Sequence, residues 1–264
     1  MVKGSWDSWR GITGSTVTGS LHSAVRASTG TKRGNSNLKE ETELSLAPDL
    51  LEELPLEKKI LTGDALFAQK KLCRLILRRK GDYLFIVKGN QPQLHWAIQY
   101  LFSKPAPEFH FDYTERWNRH GNRIEVRRLW SSAVLNDYLK WPGLKQVLKI
   151  EREVEQKGQK GAQVRYAITS LGSETDSRKL LNLVRGHWAI ENQLFRVRDV
   201  TLGEDASQIR KGSAPQVMAA LRNTVIALFR HSGAVNIAAA IRQNGWQHHG
   251  STLVNLLFKA LKSK

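Results

Sequence analysis

Apolar residues at positions 68, 72, 75 and 76 recur at helical spacing and predict a helix from Ala68 to Lys80, with Lys70, Lys71, Arg74, Arg78 and Arg79 over much of its remaining surface. Before it, Lys58 to Asp64 is a short apolar strand that ends in a carboxylate. After it, Gly81 stops the helix, and Asp82 to Lys88 reads as a mostly apolar strand of the buried kind. Strand, helix and strand within about thirty residues make a βαβ unit.

Around this unit the pattern changes. Residues 1–40 are rich in Gly, Ser and Thr, and the alternating pieces Ser20 to Val25 and Lys32 to Lys39 read as edge strands or a loop. Leucines at 44, 46, 50 and 51 predict a helix within Glu40 to Glu53, around Pro48 and closed by Pro55. Gly89-Asn90-Gln91-Pro92 is followed by a helix from Leu94 to Phe102. A β-rich stretch then spans about residues 109–170, with Arg123 to Trp130, Gln146 to Val154 and Val164 to Ser170 extended and turns at Lys157-Gly158 and Lys160-Gly161. A long helix returns from Glu174 to about Val200. Helices from Ala214 to Arg230 and from Thr252 to Leu261 form a C-terminal extension over about residues 212–264. The chain has no internal repeat.

On the long helix, at about 100° per residue, Leu180, Val184, Trp188, Glu191 and Phe195 fall on one stripe that must face the core. A carboxylate inside an apolar stripe has to be satisfied by a cation or a metal, or be protonated. His187 and Arg198 lie at the edge of the stripe, so a structural ion pair and a catalytic role both stay open for Glu191. Asp64 sits where an apolar strand ends, which is where α/β sheets place their sites. Carboxylates from two elements can share divalent cations, and a pair of them about 3.5–4 Å apart promotes phosphoryl transfer. Hard oxygen donors suit Mg²⁺ or Mn²⁺, and no His/Cys cluster points to zinc.

Charge narrows the partner. With 41 Lys and Arg against 24 Asp and Glu, the net charge is +17 and the sequence pI about 10.2. A polyanion is implied, nucleic acid ahead of an anionic membrane surface. No apolar run approaches the ~20 residues of a membrane helix, and Met1 to Ser20 lack the apolar core of a secretory signal. A cytoplasmic, nucleoid-associated protein with no membrane partner is expected. The single cysteine, Cys73, rules out an internal disulfide and reads as a buried thiol among Leu72, Leu75 and Ile76.

Four motifs then occur in order: Thr62-Gly-Asp-Ala65, Gly81-Asp-Tyr-Leu-Phe-Ile-Val-Lys-Gly-Asn-Gln-Pro92, Arg185-Gly-His-Trp-Ala-Ile-Glu-Asn192, and the run from Asp199 to Ala214. From about Leu56 to about Arg230 the chain resembles the DDE insertion-sequence transposases of the H-repeat-associated type. That resemblance implies an α/β, ribonuclease H-like mixed sheet flanked by helices, with a β-rich insert before the helix carrying the last acidic residue. It implies one catalytic domain over residues 1–264 without the usual N-terminal region. Asp64 corresponds to the family's second acidic residue and Glu191 to its third, with Mg²⁺ or Mn²⁺ as cofactor. The first acid belongs to an Asp-Gly-Lys context upstream of an Arg-Gly pair. Here Trp6-Asp-Ser-Trp-Arg-Gly11 offers Asp7, with the Gly-Lys absent and the spacing to Arg10 short.

The implied partner is DNA, both element ends and target, with a homodimer in the DNA complex left open. Candidate DNA contacts are Lys88 and Asn90, then Arg123, Arg127 and Arg128 at the basic start of the insert, and His187 and Arg198 beside Glu191. The competing readings are a turn made by Gly89 and Pro92 and a solvated strand face. Glu204 and Asp205 read as a loop pair capping the next segment, and His248-His249 as surface. Trp117, Trp130, Trp141 and Trp246 can stack on bases or fill core and interface. Two functions follow: a metal-dependent transposase that cleaves and joins DNA, or a remnant that holds DNA without cutting it. An unrelated RNA-binding protein is disfavoured by the ordered motifs.

Overall fold

The computed structural model describes residues 18–20, 43–190, 196–209 and 211–246. The expectations for Asp7, for the extended pieces within residues 21–39, for Glu191 and Phe195, and for the helix over 252–261 therefore lie outside the described residues.

The βαβ unit forms as the pattern requires. Strand β1 (Thr18–Ser20) pairs parallel with β2 (Ile60–Gly63), and β2 pairs parallel with β3 (Asp82–Val87). Between them, helix α1 spans Glu43–Glu53 with Pro48 inside it, and α2 spans Lys70–Arg78. A 3₁₀ turn, Ala65–Phe67, separates Asp64 from α2, which is why α2 begins two residues later than the spacing predicts. The stop also differs. Lys80, not Gly81, takes the left-handed conformation, with φ 58°.

Helix α3 (Pro92–Ser103) starts on its proline, which fits a first helical position because the missing N–H would be unpaired there anyway. The β-rich stretch then gives four strands, β4 (Asp112–His120), β5 (Arg123–Ser132), β6 (Gln146–Gln156) and β7 (Gln159–Thr169). Strand β4 was not expected. It is a polar edge strand without an apolar period, held by its register with β5. At the β6 to β7 hairpin, Lys157 and Gly158 both have positive φ, as a tight two-residue turn demands. Lys160-Gly161, expected as a turn, lies inside β7.

These strands continue the same sheet. The order is β1-β2-β3-β7-β6-β5-β4, seven strands in all, parallel from β1 to β3 and antiparallel onward. Thr169 and Ser170 fasten β7 to β3: Thr169 Oγ1 donates to the Tyr83 carbonyl at 2.7 Å, and Tyr83 N–H donates to Ser170 Oγ at 2.9 Å. One face of the sheet, with Leu61, Tyr83, Phe85, Val87, Val147 and Ile168, packs in one core with Leu51 of α1, Leu72 and Ile76 of α2 and Ile98 of α3.

The other face meets α4 (Ser177–Ile190). Asp176 caps this helix by accepting from Lys179 N–H at 2.7 Å, so it begins at Ser177 and not at Glu174. Asp112 of β4 accepts from Ser177 N–H at 2.5 Å. Leu180 and Val184 of the expected stripe are buried.

The contacts divide the described residues into two compact units, one ending at His187 and the other starting at Trp188. In the second, a π-helical turn (Val197–Thr201) precedes α5 (Ala214–His231) and α6 (Ile237–Trp246). Ile226, Phe229 and Ile237 make its core. Helix α6 was not expected; Asn236 starts it by accepting from Ala239 N–H at 3.0 Å.

Candidate active site

At the C-terminal end of β2, three consecutive residues have three different tasks. Thr62 is buried and its Oγ1 lies 3.2 Å from Nδ1 of His187 on α4. Gly63 has no room for a side chain, because an added Cβ would stand 3.0 Å from the Phe85 ring. Asp64 is half-buried, and its Oδ1 accepts from Leu66 N–H at 3.1 Å, capping the 3₁₀ turn. Its second carboxylate oxygen has no hydrogen bond or ion pair among the described residues.

The turn after β3 grips the segment following Asp64. Asn90 Nδ2 donates to the Ala65 carbonyl at 2.5 Å, and Gln91 Nε2 donates to the Ala68 carbonyl at 3.0 Å. The turn closes through Gln91 N–H to the Lys88 carbonyl at 3.1 Å. Gly89 has no positive φ, and a Cβ there would meet nothing within 4 Å. Asn90 and Gln91, and not the glycine, therefore shape this loop. Lys88 is exposed at its start.

His187 is 4% exposed and so not at the solvent edge of its helix. Its bond to Thr62 ties α4 to β2 two residues before Asp64. Arg198, in the second unit, is 5% exposed and chelated by Glu204, with Nε at 2.6 Å from Oε2. Glu204, expected as a capping residue, also serves as the partner of Arg198. The side chains of His187 and Arg198, expected as DNA contacts, are both buried.

The three arginines of β5 separate by strand alternation. Arg123 and Arg127 share a face with Glu125; Arg128 points to the other. Arg128 Nε lies 2.6 Å from Glu115, and Nη1 lies 2.9 Å from Glu153 and 3.9 Å from Glu151. The hydrogen bonds it donates to Glu153 and Glu115 raise its pKa further. Arg128 is half-buried and held by carboxylates. Glu125 binds Arg127 at 2.8 Å and also Arg152. Burial alone would raise the Glu125 carboxyl, but the Arg152 hydrogen bond and the charges of Arg127, Arg152 and Arg123 together lower it.

Of the tryptophans, Trp141 is core, under Lys70, while Trp117 is 62% exposed. Cys73 is buried, and burial pushes its thiol up to about 12, far from a nucleophile.

A carboxylate with an uncommitted oxygen at a strand end suits a hard divalent cation. Among the described residues no three His, Cys, Asp or Glu side chains come together, and that set omits Asp7 and Glu191. The residues that sequence reading missed here are Thr62 and Gln91. The T-G-D and K-G-N-Q-P motifs contain both, but their partners, His187 and the Ala68 carbonyl, are distant or in the backbone.

Three relatives share about a third of their residues with this chain. "Putative transposase YncI" of Escherichia coli O157:H7 is 34% identical over 199 residues, 71% of this chain and 50% of that protein. "Putative protein YbfL" of Escherichia coli (strain K12) is 34% identical over 200 residues, 71% and 52% of the two chains. "H repeat-associated putative transposase YhhI" of the same strain is 34% identical over 196 residues, 70% and 50%. The chain spans about half the length of these relatives. The transposase DDE domain model matches residues 18–228. That match runs from β1 into α5 and takes in every strand of the sheet together with Asp64 at the end of β2, so the chain belongs to the transposase DDE domain family.

Proposed function

We propose that this chain is the catalytic part of an insertion-sequence transposase, cleaving DNA phosphodiesters at element ends and joining the freed ends to a target. The observation that carries the reading is the position of Asp64 at the C-terminal end of a buried parallel strand, next to a Thr62 to His187 bond that fixes α4 against that strand. Glu191 follows His187 by four residues in the sequence, a separation at which two side chains share a helix face. Asp64, Glu191 and Asp7 are the proposed ligands of Mg²⁺ or Mn²⁺, in a ribonuclease H-like arrangement. When bound, such ions activate the attacking oxygen and stabilise the leaving one.

In the first step a water oxygen attacks phosphorus and the bond to the 3′ oxygen breaks, leaving a 3′-hydroxyl and a 5′-phosphate. In the second that 3′-hydroxyl attacks a target phosphorus and displaces the target's own 3′ oxygen. The chain's described residues contribute position: Asp64 is held by its cap, Asn90 clamps the segment behind it, and His187 is a positioning residue for α4. Lys88, exposed on the clamped turn, is the proposed phosphate contact there.

The context of Asp7 favours a second reading, a chain that holds DNA without cutting it, since the Gly-Lys that follows the family's first aspartate is absent. Mg²⁺- or Mn²⁺-dependent nicking of DNA carrying element ends separates the two. Nicking lost in Asp64→Asn, Glu191→Gln and Asp7→Asn supports the enzyme with all three acids. Binding without nicking in every sample supports the DNA holder. Nicking unchanged by Asp64→Asn refutes the site.

A further inference from the structure

The sheet from β4 to β7 has two electrically different faces. By strand alternation and register, the face bearing Arg128 also carries Arg119, Lys149 and Lys160, matched by Glu115, Glu151, Glu153 and Glu155. The face turned to α4 carries five arginines, at 116, 123, 127, 152 and 165, against two carboxylates, Asp112 and Glu125. Asp112 is occupied with Ser177 N–H. Glu125 sits among the arginines, binding Arg127 and Arg152.

Three of these arginines stand directly opposite one another. The register pairs Arg116 with Arg127 and Arg127 with Arg152, a row of like charges across β4, β5 and β6. Such pairing is destabilising on its own. Arg185 of α4 adds its field to Arg127, and Arg116 in turn acts on Arg185. The Nε of Arg127 is buried and has no hydrogen-bond partner among the described residues. Among the described residues one carboxylate, Glu125, is bound to this row of three arginines, and planar guanidinium forks suit phosphate oxygens. The row covers two strand spacings, about 10 Å, close to the rise of three nucleotides along a duplex.

We propose that the row Arg116, Arg127 and Arg152, flanked by Arg123 and Arg185, is the strip on which the DNA sugar-phosphate backbone lies, with Glu125 bridging Arg127 and Arg152 and offsetting part of their charge until DNA arrives. The opposite face, including Arg128, takes no part. This rests on the DNA-acting reading above and adds to it which surface the duplex meets.

The test is fluorescence anisotropy of the full chain with a mixed-sequence duplex of about 30 base pairs, titrated across KCl concentration, since each phosphate contact contributes about 0.9 to the slope of log K against log salt. Arg116→Gln with Arg152→Gln should reduce the slope by about 2, and the exposed Arg116→Gln alone by about 1. Arg128→Gln should leave it unchanged. Glu125→Gln should tighten binding several-fold at fixed salt, an outcome that simple loss of structure does not produce. An unchanged slope in both Arg116 variants, or an equal loss in Arg128→Gln, would overturn the strip while leaving DNA binding standing. A wild-type chain that does not bind duplex DNA overturns the DNA reading and the strip together.

Discussion

Replacing Gly63 by alanine tests how tightly the sheet positions Asp64. The new methyl would lie 3.0 Å from Cδ1 and Cε1 of Phe85 and 3.2 Å from Cβ of Phe67. Both phenylalanines are fully buried, and Phe85 stacks on Tyr83 with ring centroids 5.3 Å apart, so neither ring has an easy way out. Overpacking of this kind costs about 1–3 kcal/mol. Against that, alanine restricts the unfolded chain and returns about 0.4–1 kcal/mol. The expected net loss is about 1–2 kcal/mol, a fall in melting temperature of about 2–8 °C. Urea unfolding followed by tryptophan fluorescence measures it, in the wild-type chain and in a Phe85→Leu background. Because leucine vacates the space the methyl needs, the cost of Gly63→Ala should shrink by about 1 kcal/mol in that background. An alanine variant as stable as wild type, or an identical cost in both backgrounds, would refute the packing argument.

Four further outcomes are expected. Asp64→Ala should lose about 1 kcal/mol of stability with the cap, whereas Asp64→Asn keeps the cap and the stability, as thermal melts will report. Lys80→Gly should stabilise the chain by about 0.5–1 kcal/mol in urea, because glycine takes the left-handed φ of 58° without strain. Cys73, its thiol pushed up to about 12 by burial, should resist an aromatic disulfide reagent at pH 8 and react only on unfolding; reaction at the rate of a free thiol would contradict its place in the core. Because the folded pKa of Glu125 is depressed, its contribution to stability is present above the ordinary carboxylate pKa and is lost as pH falls through the folded value. The stability gap between wild type and Glu125→Gln should therefore narrow as a urea series is taken from pH 6 to pH 3.

The βαβ unit was legible because its strands are continuous apolar runs and its helix has a clean 3.6-residue stripe. Strand β4 was not, since Arg116, Trp117 and Arg119 lie at an edge where no buried face imposes alternation. The division of labour on β5 was available in principle. Arg127 and Arg128 are adjacent in an extended segment and so must face opposite ways, and treating them as one patch overlooked that. Asp64 was readable as a strand-end carboxylate, while its cap to Leu66 depended on a 3₁₀ turn that three residues of sequence do not announce. The burial of Arg198 follows from Glu204, six positions away across an irregular π-helical turn with no fixed spacing to read.

The join between the parallel and antiparallel halves also sets an order of events during synthesis. Strand β3, buried along nearly its whole length, has its β7 neighbour 86 residues later in the chain, at the Tyr83 to Thr169 bond. At about 5–20 residues per second, the ribosome leaves that apolar edge waiting for roughly 4–17 s. The β4 to β7 hairpins are local and can assemble as they emerge, but the sheet is sealed only when β7 arrives. Until then β3 is an open template for pairing with a second nascent chain, so the delay before β7 arrives is the window in which mispairing competes with folding.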